Sequence, residues 1–325
     1  MEDRLESKFV TYQDIADALG ITKMAVSKAL RNSHDISDET KRLVRAKADE
    51  LGYIPNILAV NFKSKKTNMI AVVFNSFHNP YFSVACYKVF DAIKKTNYQC
   101  QLFFCDEFLM NLDDVKKLMV NKYCGIVSFV EPTADVAAFV HNKGIPFVLV
   151  GIDINIDGID CVYTDDYAGG RLVGEYFLNS GFKRALFVSD SVSETSGRRL
   201  SGFSDAIKSS GREFECLPCG SPSNMVKLAY DNIKANGIDF VFCFSDSFAL
   251  MLIMYLEEQN VSGVEVCGYD NLHKYYPLIK KIKSVDYDLN EIIEYACEKL
   301  IEKIEGKINP DERVDKVFDV TLTAM

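Results

Sequence analysis

The chain has 325 residues, of which 48% are hydrophobic, and a formal net charge of −9. A chain of this length can bury a sizeable core and is expected to hold more than one folding unit. It has no run of 18 or more apolar residues, no N-terminal signal-peptide pattern and ten irregularly spaced cysteines, which predicts a cytoplasmic protein rather than a membrane-spanning or disulfide-stapled one.

The first 55 residues are predicted to form three short helices. Thr11 is a typical N-cap with Asp14 in the capping-box position, and Gly20 ends the segment as a C-cap would. The second helix is expected to open at Thr22, and the third near Ser37. Two short helices separated by a tight turn, with a third to support them, are the parts of a helix-turn-helix unit.

Charge is distributed unevenly along the chain. Residues 1–66 carry 12 Lys and Arg against 10 Asp and Glu, a net of +2, whereas the remainder carries a net of −11. A basic head on an acidic body suits a protein that meets nucleic-acid phosphates with one end only. Within the junction, residues 57–63 have the pattern of one or two helical turns, too few to be stable in water without support.

From Met69 onward, short apolar runs alternate with amphipathic segments. This order predicts βαβ units and parallel sheets covered on both faces. The predicted strands span 69–74, 101–104, 125–130, 146–150, 184–190, 239–244 and 264–270. The predicted helices span 81–95, 113–121, 133–142, 168–180, 200–210, 224–236 and 246–259. One barrel or two doubly wound lobes would satisfy this order, and we favour two lobes because the series restarts near residue 161.

Motifs that carry catalysis or hold a cofactor are missing from the sequence. There is no P-loop, HExxH, GxSxG or GxGxxG, and the four histidines are dispersed without metal-ligand spacing. Cys216 and Cys219 form a single C-x-x-C with no second pair nearby, which does not make a zinc site. We therefore expect no cofactor, no metal and no enzymatic activity.

Several motifs together resemble the lactose/galactose repressor (LacI/GalR) family of transcription regulators. The string VTYQDIADALGITKMAVSKALRNSHDISDETKRLVRAKADELGYIPN (10–56) is similar to the family's DNA-binding head without gaps. The body carries NPYF at 79–82, D-D-x-x-G-G at 165–170, R-x-x-G-F at 199–203, SD at 245–246 and GYDN at 268–271. The resemblance thus covers essentially the whole chain.

The resemblance implies three parts and a homodimer. An all-α helix-turn-helix head would span 1–55, a hinge helix or linker 56–67, and an α/β body 68–325, two-lobed like periplasmic sugar-binding proteins and built on doubly wound parallel sheets. The N-lobe is expected over about 68–163 and 287–312. The C-lobe is expected over about 164–286 and 313–325.

The resemblance also implies which residues touch double-stranded operator DNA. Lys23 and Met24 occupy the main base-reading positions of the second helix, and Lys28 stands where the family usually has Arg. Lys lacks the rigid fork of Arg, so we expect softer discrimination there. The residues expected at phosphates, which fix register, are Thr11, Tyr12, Thr22, Ser27, Tyr53 and Asn56.

The hinge departs from the family. Phe62 stands where a Leu usually enters the minor groove at the centre of a pseudo-palindromic operator, and a Phe can also wedge open a base step. We expect Phe62 to be that wedge; packing of its ring against the body is the alternative.

An effector site is expected in the cleft between the lobes, where such folds bind ligands. By resemblance, Asn75, Phe77 and Tyr81 would face Arg199, Ser245, Asp246 and Asp270. The alternatives are a plain helix cap for Asp246 and an ordinary surface charge for Arg199. The resemblance implies a carbohydrate effector. Because Gly151 and Tyr287 replace an Asp and a Gln common in the family, it stays open whether the effector is unusual, phosphorylated or absent.

The sequence therefore predicts a DNA-binding transcription regulator, a repressor whose operator affinity is set by a sugar or sugar phosphate. Three alternatives stay open at this point. They are control by a protein partner instead of a small ligand, a soluble sugar-binding protein with a degenerate head, and an enzyme on a similar body. The intact head and the missing catalytic motifs argue against the last two.

Overall fold

A computed structural model describes residues 10–54, 67–190, 193–208, 210–212, 214–218 and 222–324, without the side chains of 222 and 223. The chain divides into two compact units, Met1–Lys66 and Thr67–Met325. The predicted helical turns at 57–63 lie outside the described residues. Within the described part, no helix is both long enough and apolar enough to cross a bilayer.

The first unit contains the three predicted helices, α1 (Tyr12–Leu19), α2 (Lys23–Leu30) and α3 (Asp38–Glu50). The predicted caps are confirmed. Thr11 and Asp14 form a reciprocal capping box, and Thr22 and Ser37 each accept a backbone N–H of the following helix. A small core fixes the three helices against one another; its buried members are Ile15, Ala16, Val26, Ala29, Val44 and Ala48.

Helices and strands alternate through the second unit, as predicted. Its strands are β1 (Met69–Phe74), β2 (Gln99–Phe104), β3 (Leu109–Met110), β4 (Gly125–Ser128), β5 (Glu131–Pro132), β6 (Phe147–Val150), β7 (Asp160–Thr164), β8 (Ala185–Ser189), β9 (Phe214–Pro218), β10 (Phe240–Cys243), β11 (Glu265–Tyr269), β12 (Lys283–Asp286), β13 (Asp315–Phe318) and β14 (Thr321–Leu322). Its helices are α4 (Pro80–Lys94), α5 (Leu112–Met119), α6 (Ala134–Asn142), α7 (Asp166–Asn179), α8 (Glu194–Lys208), α9 (Pro222–Asn236), α10 (Asp246–Glu258) and α11 (Leu289–Ile304).

Twelve of the described strands form two six-stranded sheets, one in each lobe, and β3 pairs with β5 in a separate two-stranded sheet. The first-lobe sheet has the order β13-β7-β6-β4-β1-β2, and all its pairs are parallel. The second-lobe sheet has the order β14-β12-β11-β10-β8-β9, in which only the β12–β14 pair is antiparallel. The expectation of two doubly wound lobes, rather than one barrel, is confirmed.

The chain passes between the lobes three times, and one predicted boundary is wrong. Residues 313–325 were assigned to the second lobe, but β13 pairs with β7 in the first-lobe sheet, Asp315 opposite Cys161. The last crossing therefore lies between Phe318 and Thr321. Only β14 returns to the second lobe, because Thr321 and Leu322 pair with β12.

Glycines let α7 and α8 approach unusually closely in the second lobe. A Cβ on Gly170 would lie 2.0 Å from the carbonyl oxygen of Arg199, and a Cβ on Gly202 would lie 1.9 Å from that of Tyr167. Backbone therefore lies against backbone here, with no room for a side chain. This contact sets the position of α8, the helix that carries Arg199.

Candidate DNA-binding surface and effector cleft

The second helix of the head presents a polar flank outward. Val26 and Ala29 are fully buried, whereas Lys23 is exposed and the side chain of Met24 is 69% exposed. A helix held on one side by a core and open on the other has the geometry needed to enter a major groove with its N-terminal residues. The two predicted base-reading residues thus lie on an open surface.

Four of the predicted phosphate contacts lie at or near the ends of the head helices, namely Thr11, Tyr12, Thr22 and Tyr53. The hydroxyl of Thr22 accepts the amide of Ala25 at 3.1 Å, and Thr11 shares its capping box with Asp14. The rings of Tyr12 and Tyr53 lie 5.4 Å apart and pack against the head core. Asn56 and Phe62 lie outside the described residues.

Two predicted contact residues of α2 already have intramolecular partners. Lys28 forms an ion pair with Asp35, and the side chain of Lys28 is 39% exposed. The guanidinium of Arg31 donates to the hydroxyl of Ser27 at 3.1 Å. Arg31, which the sequence did not single out, therefore brings a second cation to the C-terminal end of this helix.

In the body, Arg199 is a largely buried charge and not an ordinary surface residue. Its Nε donates to Asp166 at 2.8 Å, Nη1 donates to the carbonyl of Phe244, and its Cζ lies 3.4 Å from the ring centroid of Tyr269. The side chains of Arg199 and Asp166 are only 12% and 4% exposed. Burial on its own would lower the pKa of the guanidinium, but the neighbouring groups Asp166, Tyr269 and Asp270 together raise it.

Asp270 meets two tyrosines beside Arg199. The hydroxyl of Tyr287 donates to Asp270 Oδ1 at 2.9 Å. Tyr81, from α4 of the first lobe, lies close to this group: burial and then the nearby carboxylate of Asp270 raise the pKa of its hydroxyl, while a hydrogen bond with Tyr287 lowers it. Asp270 has a φ of 100°, which lies outside the left-handed helical region that Asp visits most readily, so its backbone is strained at the cleft.

The structure shows which intramolecular contacts Asp246 and Ser245 make. Ser245, not Asp246, caps α10, its hydroxyl accepting the amide of Phe248. The carboxylate of Asp246 accepts the amide of Leu272 at 2.8 Å and the hydroxyl of Ser284 at 2.7 Å. Asp246 thus ties α10 to the chain around β11 and β12, and its helix-cap alternative is wrong.

Polar contacts join the two lobes across the cleft. Ser247 donates to Asn79 at 2.8 Å, and Arg198 pairs with Asp153 at 2.8 Å. Phe77 is 37% exposed and packs its ring against Phe74 and Phe104 of the first lobe, while Asn75 is half-buried after β1. Of the predicted first-lobe residues, Tyr81 is the one that meets the Arg199–Asp270 group.

Comparison with known proteins identifies the family to which this architecture belongs. Residues 67–306 match the family described as periplasmic binding proteins and sugar binding domain of LacI family. Residues 11–56 match the family described as bacterial regulatory proteins, lacI family. The chain belongs to the LacI family.

Its relatives in the LacI family share its length. The HTH-type transcriptional repressor PurR of Photobacterium profundum is 23% identical over 321 residues, covering 94% of each chain. The sucrose operon repressor of Pediococcus pentosaceus is 26% identical over 309 residues, covering 90% of this chain and 91% of that protein. The solved lac repressor dimer bound to operator and the anti-inducer ONPF has a TM-score of 0.81 at 17% identity, covering 98% of both chains, which shows a shared fold.

The body of this LacI-family protein contains an ion-pair partner that the sequence does not reveal. Asp166 belongs to the D-D-x-x-G-G motif, but its pairing with Arg199 joins residues 33 positions apart and is visible only in the structure. The described residues contain no group of three His, Cys, Asp or Glu placed to hold a metal ion. Of the C-x-x-C pair, Cys216 is an exposed free thiol and Cys219 lies outside the described residues.

The buried carboxylates of this LacI-family cleft predict that acid stabilises the body. Burial raises the pKa of Asp246 to about 8 and that of Asp270 to about 6. The folded state then binds these protons more tightly than the unfolded chain. The stability that these two protonated groups contribute is fully present below about pH 4, the unfolded pKa, and is lost as the pH rises from there to 6 for Asp270 and to 8 for Asp246.

We therefore expect the thermal unfolding midpoint of the wild type, measured by circular dichroism, to be lower at pH 8 than at pH 6. The fall should be smaller in Asp246→Asn, which cannot titrate. Asp231→Asn, an exposed site paired with Lys227, serves as the control and should keep the full fall. An undiminished fall in Asp246→Asn would count against the assignment to Asp246.

Proposed function

We propose that this LacI-family protein is a cytoplasmic, homodimeric transcription repressor and not an enzyme. It binds a pseudo-palindromic operator, and an uncharged, hydroxyl-rich effector in the cleft sets its operator affinity. The observation that carries this proposal is the open polar flank of α2, where Lys23 and Met24 are exposed on a helix whose other side is fully buried. Names of relatives support it, since two are called repressors and a third was solved on operator DNA.

Exposed apolar side chains on the first lobe support a homodimer. Tyr87 and Phe90 on α4 are 63% and 54% exposed, and Leu102 and Phe104 on the edge strand β2 are 44% and 46% exposed. An apolar edge strand beside an apolar helix face is a surface that proteins normally cover. A dimer with two-fold symmetry would also place two heads on the two half-sites of a palindrome.

The charges of the cleft favour a neutral effector over a phosphorylated one. The guanidinium of Arg199 is already compensated by Asp166, and Asp270 adds a further carboxylate. A phosphate would meet the carboxylate of Asp270, and the cation beside it, Arg199, is already paired with Asp166. Neutral hydroxyl groups, by contrast, can donate to Asp270 and accept from Arg199. Such a ligand can change DNA affinity only by binding one lobe arrangement better than the other.

For the head, the proposed base contacts are Lys23, Met24 and Lys28. The proposed phosphate contacts are Thr11, Tyr12, Thr22, Ser27, Tyr53 and Asn56. We also propose Phe62 as the minor-groove wedge. A residue that reads a base should matter for one sequence, whereas a phosphate contact should matter for all.

The decisive experiment is selection of operator sites from a random duplex library by the full-length protein. We expect a palindromic consensus to be enriched. We expect Lys23→Ala to lower affinity for that site by about tenfold or more, as loss of a base contact does, and to relax preference at one position of each half-site.

A matched control is Lys47→Ala, which removes one positive charge from α3, where Lys47 pairs with Glu50. It should leave the selected consensus unchanged. If no sequence is enriched, the protein is not an operator-specific repressor. If Lys23→Ala and Lys47→Ala behave alike, Lys23 does not read a base.

A further inference from the structure

The chain folds back over the end of the recognition helix α2. Asn32 has a φ of 60°, the left-handed conformation that Asn adopts more readily than most residues. The amide of Asn32 then donates to the carbonyl of Ala29 at 3.1 Å, and that of Ser33 to the carbonyl of Lys28 at 3.0 Å. This helix-ending turn carries Asp35 back beside Lys28.

Asp35 is held in place on several sides. Its Oδ1 accepts the hydroxyl of Ser33 at 2.6 Å, and its Oδ2 pairs with the ammonium of Lys28. Ile36, the next residue, packs against the head core. The hydrogen bond from Lys28 is the main reason that the pKa of Asp35 falls to about 2, so the carboxylate is ionised at every physiological pH.

This ion pair adds little to stability, because both side chains are about 40% exposed and water screens the pair. Its effect should be on DNA binding. An unpaired lysine has a compact charge on a flexible stem and binds any phosphate within reach, which strengthens binding to all sequences alike. A lysine paired with a fixed carboxylate has no net charge to offer a phosphate.

We propose that Asp35 is a specificity-determining residue that withholds Lys28 from the phosphate backbone and holds its ammonium for a base edge. The inference rests on the proposed function, since it presumes that α2 reads DNA. Asp35 acts through Lys28 and needs no DNA contact of its own. Sequence-independent binding is thereby weakened more than operator binding. The ratio of operator affinity to affinity for unrelated DNA rises as a result.

The test compares the selected operator with a scrambled duplex of equal length, using the full-length protein in fluorescence anisotropy over a range of salt concentrations. In Asp35→Asn, we expect affinity for scrambled DNA to rise about fivefold at 0.15 M salt. The slope of log affinity against log salt concentration should become more negative by about 0.9 per head, because one further counterion is released. The ratio of affinity for the operator to affinity for the scrambled duplex should fall, and the thermal unfolding midpoint should stay unchanged.

Two further variants separate this role from a simple loss of negative charge. Asp38→Asn removes an equal charge from the start of α3, where Asp38 pairs with Lys41 at 3.2 Å, and should leave the ratio nearly unchanged. In a Lys28→Met background, Asp35→Asn should no longer alter the ratio, because its partner is gone.

The outcomes are distinct. An unchanged ratio in Asp35→Asn, or an equal effect of Asp35→Asn with and without Lys28, would overturn the specificity role while leaving the repressor proposal intact. Failure to select any operator at all would overturn both.

Discussion

Gly202→Ala is expected to destabilise the body by about 3 kcal/mol or more, at the upper end of what overpacking a well-packed interior does. The added Cβ would lie 1.9 Å from the carbonyl oxygen of Tyr167 and 3.0 Å from the amide nitrogen of Arg171. Both atoms belong to the backbone of α7 and cannot move aside as a side chain would. The helices must therefore separate, and Arg199 on α8 must move with them.

Urea unfolding and thermal unfolding of the full-length chain measure this effect. A loss of this size should lower the midpoint by roughly 6–12 °C. Gly197→Ala is the matched control in the same helix, because a Cβ there has no atom within 4 Å. It should leave stability unchanged or raise it by about 0.5–1 kcal/mol, since Ala is the better helix former. Equal stability of the two variants would contradict the close α7–α8 contact.

Arg199→Met is expected to cost about 3–5 kcal/mol of the free energy of unfolding, as removal of one partner from a buried ion pair does. The substitution would leave Asp166 buried at 4% exposure without its cation, and the carbonyl of Phe244 would lose its donor. A contact with the ring of Tyr269 would be lost as well. We also expect this variant to lose any rise in unfolding midpoint that a neutral sugar gives the wild type.

Arg198→Met tests whether the effect is specific to burial. Arg198 is adjacent on α8, but its side chain is 40% exposed and its partners Asp153 and Glu194 are also accessible to water. Its loss should cost less than about 1 kcal/mol. The double variant Arg199→Met with Asp166→Asn should recover part of the stability, because no uncompensated charge then remains buried. No recovery in the double variant would contradict the ion-pair explanation.

The head was predictable from sequence because its signals are local. Thr11 and Asp14 are three residues apart, and their capping box fixes the start of α1 whatever the rest of the chain does. The apolar runs of β1 and β10 were equally readable, since strands buried on both faces need apolar residues throughout. Family motifs then supplied the base-reading positions, which no pattern of polarity could give.

The elements that sequence reasoning missed depend on distant partners. Strand β12 begins with Lys283, a residue type that the sequence predicts at the surface. Lys283 is nevertheless buried, and its ammonium is satisfied by donating to the carbonyl of Thr323 at 2.6 Å. Strand β7 begins with Asp160, which is buried against Lys303 of α11, 143 positions away. Polar residues at such positions lower the apolar signal, and their compensation becomes visible only in three dimensions. The Arg199–Asp166 pair was missed for the same reason.

Because β13 and β14 supply edge strands to different sheets, they affect the order in which the parts of the protein can fold during synthesis. The described core of the helix-turn-helix unit ends at Tyr53, so these core residues are all present as soon as that segment leaves the ribosome. The first-lobe sheet has to wait for Phe318, and the second-lobe sheet for Leu322. A nascent chain can thus display a folded head while both lobes still lack an edge strand, and a stop codon in place of Asp315 would remove β13 and β14 together.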